Sequence, residues 1–167
     1  MFERYTEQAR RVIFFSRYEA SQLGSPQIET EHLLLGLIRE DKALLCNFLT
    51  YEHLESIRLA IESSAKDSKR ISSSVDLSLS PESKLALKSA ADHTDQRSER
   101  YIDTAHLFLG LLSQKSSLAT ELLAQHGLTI ERVLQGVKKT PASERPRTVP
   151  PKRRSNPLPP WSWPDAT

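Results

Sequence analysis

The sequence predicts an all-α fold, a pseudo-twofold bundle of two four-helix repeats followed by a disordered, Pro-rich C-terminal tail. The first observation behind this is internal. A shift of 74 residues lays Ile28-Glu29-Thr30-Glu31-His32-Leu33-Leu34-Leu35-Gly36-Leu37-Ile38 on Ile102-Asp103-Thr104-Ala105-His106-Leu107-Phe108-Leu109-Gly110-Leu111-Leu112, with seven of eleven positions identical. The same shift runs without a gap from Thr6–Leu49 to Ser80–Leu123, which marks two related units. The second observation is periodicity: apolar residues recur every three or four positions in segments bounded by capping residues. The third is a break in composition at Pro141, since eight of the ten prolines and both tryptophans lie in the last 27 residues.

The first helix is expected from about Thr6 to Leu23, with Ala9, Val12, Ile13, Ser16, Ala20 and Leu23 along one stripe. Gly24 and Pro26 end it, because glycine adopts a left-handed conformation cheaply and proline cannot continue a helix. The second starts at Thr30, whose hydroxyl can cap free amides, and buries Leu33, Leu34, Leu37 and Ile38. A short third helix (about Ala43–Leu49) and a fourth (about Leu54–Ser64) complete the unit. In the second unit, Ser80-Pro81-Glu82 is a helix start with a capping hydroxyl, a proline at the first position and an acid facing the positive end of the helix. Helices are expected there near Ser80–Asp95, Thr104–Leu112, Ser117–His126 and Thr129–Lys138. Gly127 ends the third of these and Thr129 caps the fourth.

The repeats occupy about residues 1–65 and 79–138, and the polar, Ser-rich stretch from Lys66 to Asp76 reads as a loop. One unit of this size buries little alone, so residues 1–139 are expected to form a single domain with a shared core. Residues 140–167 form the tail. Residues 1–139 carry 18 Lys/Arg against 19 Asp/Glu, whereas the tail carries five against two. The near-neutral body therefore offers no broad face for nucleic acid, and a nucleic-acid-associated role through the basic tail is the alternative to protein binding. The tail's Leu-Pro-Pro-Trp-Ser-Trp, with Trp161 and Trp163, suits recognition in a groove as well as it suits an inert solubilising role. No apolar run reaches the roughly 20 residues that span a bilayer. A single cysteine, Cys46, and an N-terminus without a signal-peptide core point to a reducing, cytoplasmic setting. Cys46 is expected to be a small core residue.

The paired segments Thr-Glu-His-Leu-Leu-Leu-Gly-Leu (residues 30–37) and Thr-Ala-His-Leu-Phe-Leu-Gly-Leu (residues 104–111) resemble the Clp N-terminal repeat domain. The opening Phe2…Thr6-Glu7-Gln8-Ala9-Arg10-Arg11-Val12 and the later Leu79-Ser80-Pro81 are similar to that family too, so the likeness covers about residues 1–138. In ClpC and ClpA unfoldases this domain precedes two ATPase modules and receives substrates and adaptor proteins. None of the five glycines here precedes a Lys-Ser or Lys-Thr pair, so there is no P-loop and no catalytic role is expected. The resemblance implies a docking domain, free-standing or part of a longer chain. It implies Clp substrates, adaptors or a Clp ATPase as partners; no cofactor, metal or membrane partner is expected. A monomer is expected.

Some ClpC relatives bind arginine-phosphorylated proteins through hydroxyls at helix starts and a glutamate in each repeat. The matching positions are Thr6, Thr30 and Glu31 in the first copy and Ser80 and Thr104 in the second, where Ala105 replaces the acid. Helix-start amides hold phosphate and a carboxylate pairs with a guanidinium, although ordinary helix capping accounts for the same residues. His32 and His106 occupy one repeat position beside buried leucines, as structural histidines hydrogen-bonded between helices would. No Cys or His lies at metal-ligand spacing from them.

Overall fold

A computed structural model describes residues 2–65 and 68–138, and the expectations for the tail lie outside them. The first unit consists of α1 (Glu7–Gln22), β1 (Gln27–Ile28), α2 (Thr30–Glu40), α3 (Lys42–Cys46) and α4 (Tyr51–Ser64). The second consists of β2 (Ser78–Leu79), α5 (Pro81–Gln96), α6 (Thr104–Leu112), α7 (Leu118–Gln125) and α8 (Ile130–Lys138). The fold is the expected all-helical double repeat, with α3 three residues shorter at its end and α4 three longer at its start. Thr6 and Ser80 cap α1 and α5, their hydroxyl oxygens accepting from the amides of Ala9 and Ser83 at 3.2 Å each.

In each unit the first two helices cross at a glycine. A Cβ on Gly36 would run into the Ser16 hydroxyl and lie 2.5 Å from the Val12 carbonyl oxygen. A Cβ on Gly110 would run into the carbonyl oxygen of Ala86, the residue equivalent to Val12. The absence of side chains lets the backbones approach closely. The leucines on either side of these glycines then face inward: Leu34, Leu35, Leu37, Leu109 and Leu111 are at most 1% exposed. Full burial of each contributes roughly 2 kcal/mol. Residues from both units belong to one continuous apolar cluster. The seam between them, lined by Val12, Leu33, Leu37, Ala86, Leu87 and Leu107, leaves no room for a water molecule.

The units are also joined by two short parallel pairings that helical periodicity does not reveal. Gln27 and Ile28 pair with Ser78 and Leu79, and Tyr5 pairs with Ile102. The Ser80 amide donates to the Ile28 carbonyl (3.0 Å) and the Thr6 amide to the Ile102 carbonyl (3.0 Å). Each unit thus lends the residues before its first helix to the other unit's second helix. Residues 68–77 lie outside helices and strands and run along α1, where the Ile71 amide donates to the Ser21 carbonyl and Arg17 to the Val75 carbonyl.

Two sequence expectations are corrected. Cys46, at the end of α3, is exposed rather than in the core; Leu45 fills that core position instead. Thr30 and Thr104 are not caps but the first helical residues, because Glu29 and Asp103 occupy the cap positions. The amides of Glu29 and Asp103 donate to Nδ1 of His32 (2.9 Å) and His106 (3.1 Å). Each histidine therefore takes the place that glutamate or glutamine holds in the usual capping box. The two histidines are structural, as expected, but their partners lie in their own helix starts.

The ends of α1 and α5 match closely while their residues differ. Gly24 has φ +70°, and its counterpart Ser98 has φ +53°. The Ser98 and Glu99 amides donate to the Asp95 and Thr94 carbonyls, which close the helix end. A serine in this left-handed region is strained where glycine is not.

Three outcomes follow for stability. Gly36→Ala and Gly110→Ala are each expected to cost about 2–3 kcal/mol in denaturant unfolding, while Ser98→Gly gains about 0.5–1 kcal/mol. Residues 1–139 should melt in one calorimetric transition, and residues 1–70 alone should not fold; two transitions would contradict the shared core. Burial depresses His32 from 6.5 to about 4. Its neutral form therefore adds stability that is complete above pH 6.5 and is lost as pH falls through about 4. The loss is on the order of 3 kcal/mol, and acid titration of His32→Gln should lack that component.

Candidate functional site

The crossed pairings decide which candidate residues come together. Because β1 and β2 are parallel and in register, α2 and α5 start side by side, so Ser80 lies next to the helix start that carries Thr30 and Glu31. The Tyr5–Ile102 pairing sets α1 beside α6 in the same way, so Thr6 lies next to Thr104 and Ala105. The grouping by repeat, with Thr6 beside Thr30 and Glu31, is therefore replaced by a grouping across repeats. Two adjacent helix N-termini concentrate positive potential at each end, which favours an anion.

At the α2/α5 end, Ser80 is 1% exposed and Thr30 3%. The Ser80 hydroxyl donates to Ser83 Oγ (3.0 Å), and Ser83 Oγ donates to the Ile28 carbonyl (2.7 Å). These hydroxyls fix the helix starts and present little surface to a ligand. Glu31 is different: it is half-buried and sits in the first turn of α2. Burial raises its pKa above the usual carboxylate value, and the nearby Glu29 charge adds to this. Hydrogen bonds from its own amide and from the Thr30 hydroxyl act in the opposite direction. The result is a carboxylate short of compensation, at a place where a guanidinium would supply it.

The α1/α6 end has no equivalent acid, and Ala105 there is 4% exposed. Thr104 is 5% exposed, and its hydroxyl donates to Asp41 Oδ2 at 2.7 Å. Asp41 Oδ1 accepts from the Leu44 amide and caps α3. Thr6 is half-buried and its hydroxyl caps α1.

A group that sequence spacing did not single out gathers around His106, where Glu99 and Asp103 approach the ring. The chemistry does not suit a metal. Nδ1 accepts the Asp103 amide, so the proton of the neutral ring sits on Nε2, 3.2 Å from Glu99 Oε2. A ring nitrogen bearing its proton cannot ligate, and Glu99 is already paired with Arg97 at 2.7 Å.

Comparison with known proteins accounts for this architecture. The Clp repeat (R) N-terminal domain family matches residues 4–126 and again residues 78–157, the second match starting 74 residues after the first. The chain is 30% identical over 139 residues to the negative regulator of genetic competence ClpC/MecB of Bacillus subtilis. It is 31% identical over 139 residues to the chaperone protein ClpB of Oceanobacillus iheyensis. Each match covers 82% of this chain and 17% of the relative, so the chain spans about a sixth of their length. The crystal structure of the N-terminal domain of ClpD from Arabidopsis thaliana superposes with a TM-score of 0.63 at 27% identity, covering 83% of this chain and 97% of that one. The Hsp104 N-terminal domain of Candida albicans shares the fold at 18% identity, with a TM-score of 0.69 and coverage of 86% and 95%. No helix among the described residues is long and apolar enough to cross a membrane. The chain belongs to the Clp repeat (R) N-terminal domain family.

Proposed function

We propose that this domain is a non-catalytic docking module that captures protein clients or adaptors for a Clp machine, and that its α2/α5 end holds phosphorylated arginine side chains. Kinship with Clp N-terminal domains, which bind proteins, supports the broader reading. The observation that supports the finer one is Glu31, a half-buried acid with a raised pKa, set where two helices start side by side. A phosphoryl group would meet the positive helix ends while the guanidinium of the same side chain meets the carboxylate. Ser80 holds the start of α5 in position, and the Thr30 hydroxyl donates to Glu31.

Calorimetric titration with free phospho-arginine tests this. Glu31→Ala is expected to lower affinity about ten- to a hundredfold, the loss of a charge-assisted pair. Unchanged binding in that variant, or none in the parent protein, would sink the reading. Affinity should also fall on acidification and begin to do so above pH 4.5, because the raised pKa protonates the carboxylate early.

Stability responds with the opposite sign. A carboxyl with a raised folded-state pKa favours folding while protonated, and that contribution is lost as pH rises through the raised value. Glu31→Gln should therefore raise the melting temperature near pH 7 and have little effect near pH 3.

A further inference from the structure

The repeat sets one outer surface against its counterpart within the same molecule. The C-terminal half of α1 carries Phe14 and Phe15, both half-buried, and Tyr18, which is 39% exposed. The equivalent positions of α5 hold Lys88, Ser89 and Asp92. Because α5 makes the same crossing with polar residues there, the crossing does not require aromatic side chains at these places. Apolar surface kept in water without that need marks a contact for another molecule. Phe14 and Phe15 meet edge to face at 5.6 Å. The Arg39 guanidinium, from the last turn of α2, lies over the Phe15 ring (4.8 Å) and the Tyr18 ring (5.2 Å). Serine (Ser113) stands at the matching place in the second unit. The acids on this side are already engaged: Glu7 and Glu40 by Arg11, Asp76 by Arg17 and Glu62 by Arg58. Glu19, which is buried, is shared between Arg39 (3.4 Å) and Arg58 (3.6 Å). Arg39 keeps 43% of its side chain exposed. Lys69 and Arg70, both exposed, add positive charge where their segment meets the end of α1.

We infer that this side of α1 is a docking surface for an acidic, aromatic-bearing segment of a partner protein, with Arg39 as its anchor. A guanidinium already held against two rings loses little freedom on binding, and its planar fork donates two parallel hydrogen bonds to a carboxylate. Phe14, Phe15 and Tyr18 receive the apolar side chains that flank those carboxylates. A nucleic-acid backbone needs many phosphate contacts and a broad basic face, which the near-neutral body does not offer, so an acidic protein segment is the better match. The surface belongs to the first unit alone, since Asp92 in place of Tyr18 repels the same segment from the second. It also lies at the opposite end of α2 from Glu31, so it stands apart from the role proposed for that residue.

The test is an amide chemical-shift titration of the whole chain with a synthetic peptide of alternating glutamate and phenylalanine. A lysine–phenylalanine peptide and a single-stranded oligonucleotide serve as controls. The acidic peptide is expected to shift residues 14–18 and 39 and to bind more weakly as salt is added. Arg39→Lys keeps the charge but loses the fork and the stacking, and is expected to weaken binding about tenfold. Phe15→Ser combined with Tyr18→Asp gives α1 the residues that α5 already carries at those places. That variant should therefore keep a cooperative melt while losing the binding. No saturable binding of the acidic peptide, shifts confined to other residues, or unchanged binding in both variants would overturn the proposal. Tighter binding of the lysine peptide or of the oligonucleotide would overturn it as well.

Discussion

Two glycines hold the architecture together. Where α1 meets α2 and α5 meets α6, the backbones come so close that a single methyl group would collide with the opposite helix. That approach turns the two leucine-rich helices, α2 and α6, so that their leucines meet across the seam between units. Around this fixed crossing the chemistry is free to vary. In the first unit the buried Glu19 binds Arg39 at 3.4 Å and Arg58 at 3.6 Å. At the equivalent positions of the second unit, His93 Nε2 meets Ser113 Oγ at 3.1 Å, with burial lowering the histidine's pKa. An ion pair and a neutral hydrogen bond thus occupy the same place in one geometry. The constraint lies in the steric contact rather than in the polar partners.

Much of this was legible in the sequence, because a helix writes its apolar face and its stop signals locally. Gly24 and Ser80-Pro81 carry that information within a few residues, whereas the role of Gly36 and Gly110 depends on residues of the helix they cross. The rest depends on partners distant in the chain. Pairing of Ile28 with Leu79, or of Tyr5 with Ile102, leaves no period in two-residue strands. Assigning the capping role to Thr30 and Thr104 followed the usual preference for hydroxyls. It missed that a histidine three residues into the helix secures the residue before them. Cys46 was misplaced because α3 is a single short turn, too brief for periodicity to tell its inner face from its outer one.

The candidate site was legible as a set of residues but not as an arrangement. Motif matching named Glu31, Thr30, Thr6, Ser80 and Thr104 and could sort them only by copy, whereas the short edge pairings sort them across copies. Burial then separates their roles, since the hydroxyls are engaged within the fold: Thr6 and Ser80 by backbone amides, Thr30 and Thr104 by the carboxylates of Glu31 and Asp41. Glu31 alone combines partial exposure with a raised pKa. A charge kept where desolvation disfavours it is a common mark of a functional position.

The reciprocal edge exchange bears on how such a domain could arise. Each repeat completes the entrance of the other's central helix, and the exchange is isologous, the same surface meeting itself about a twofold axis. An ancestral single repeat would have left the residues before α1 unpaired and its leucine face open to water. Two separate chains could have satisfied both needs by associating as a symmetric homodimer. Gene fusion of such a dimer would have preserved every contact while freeing the two halves to diverge. Ala105 in one repeat and Glu31 in the other record that divergence, which identical subunits of a homodimer could not have undergone.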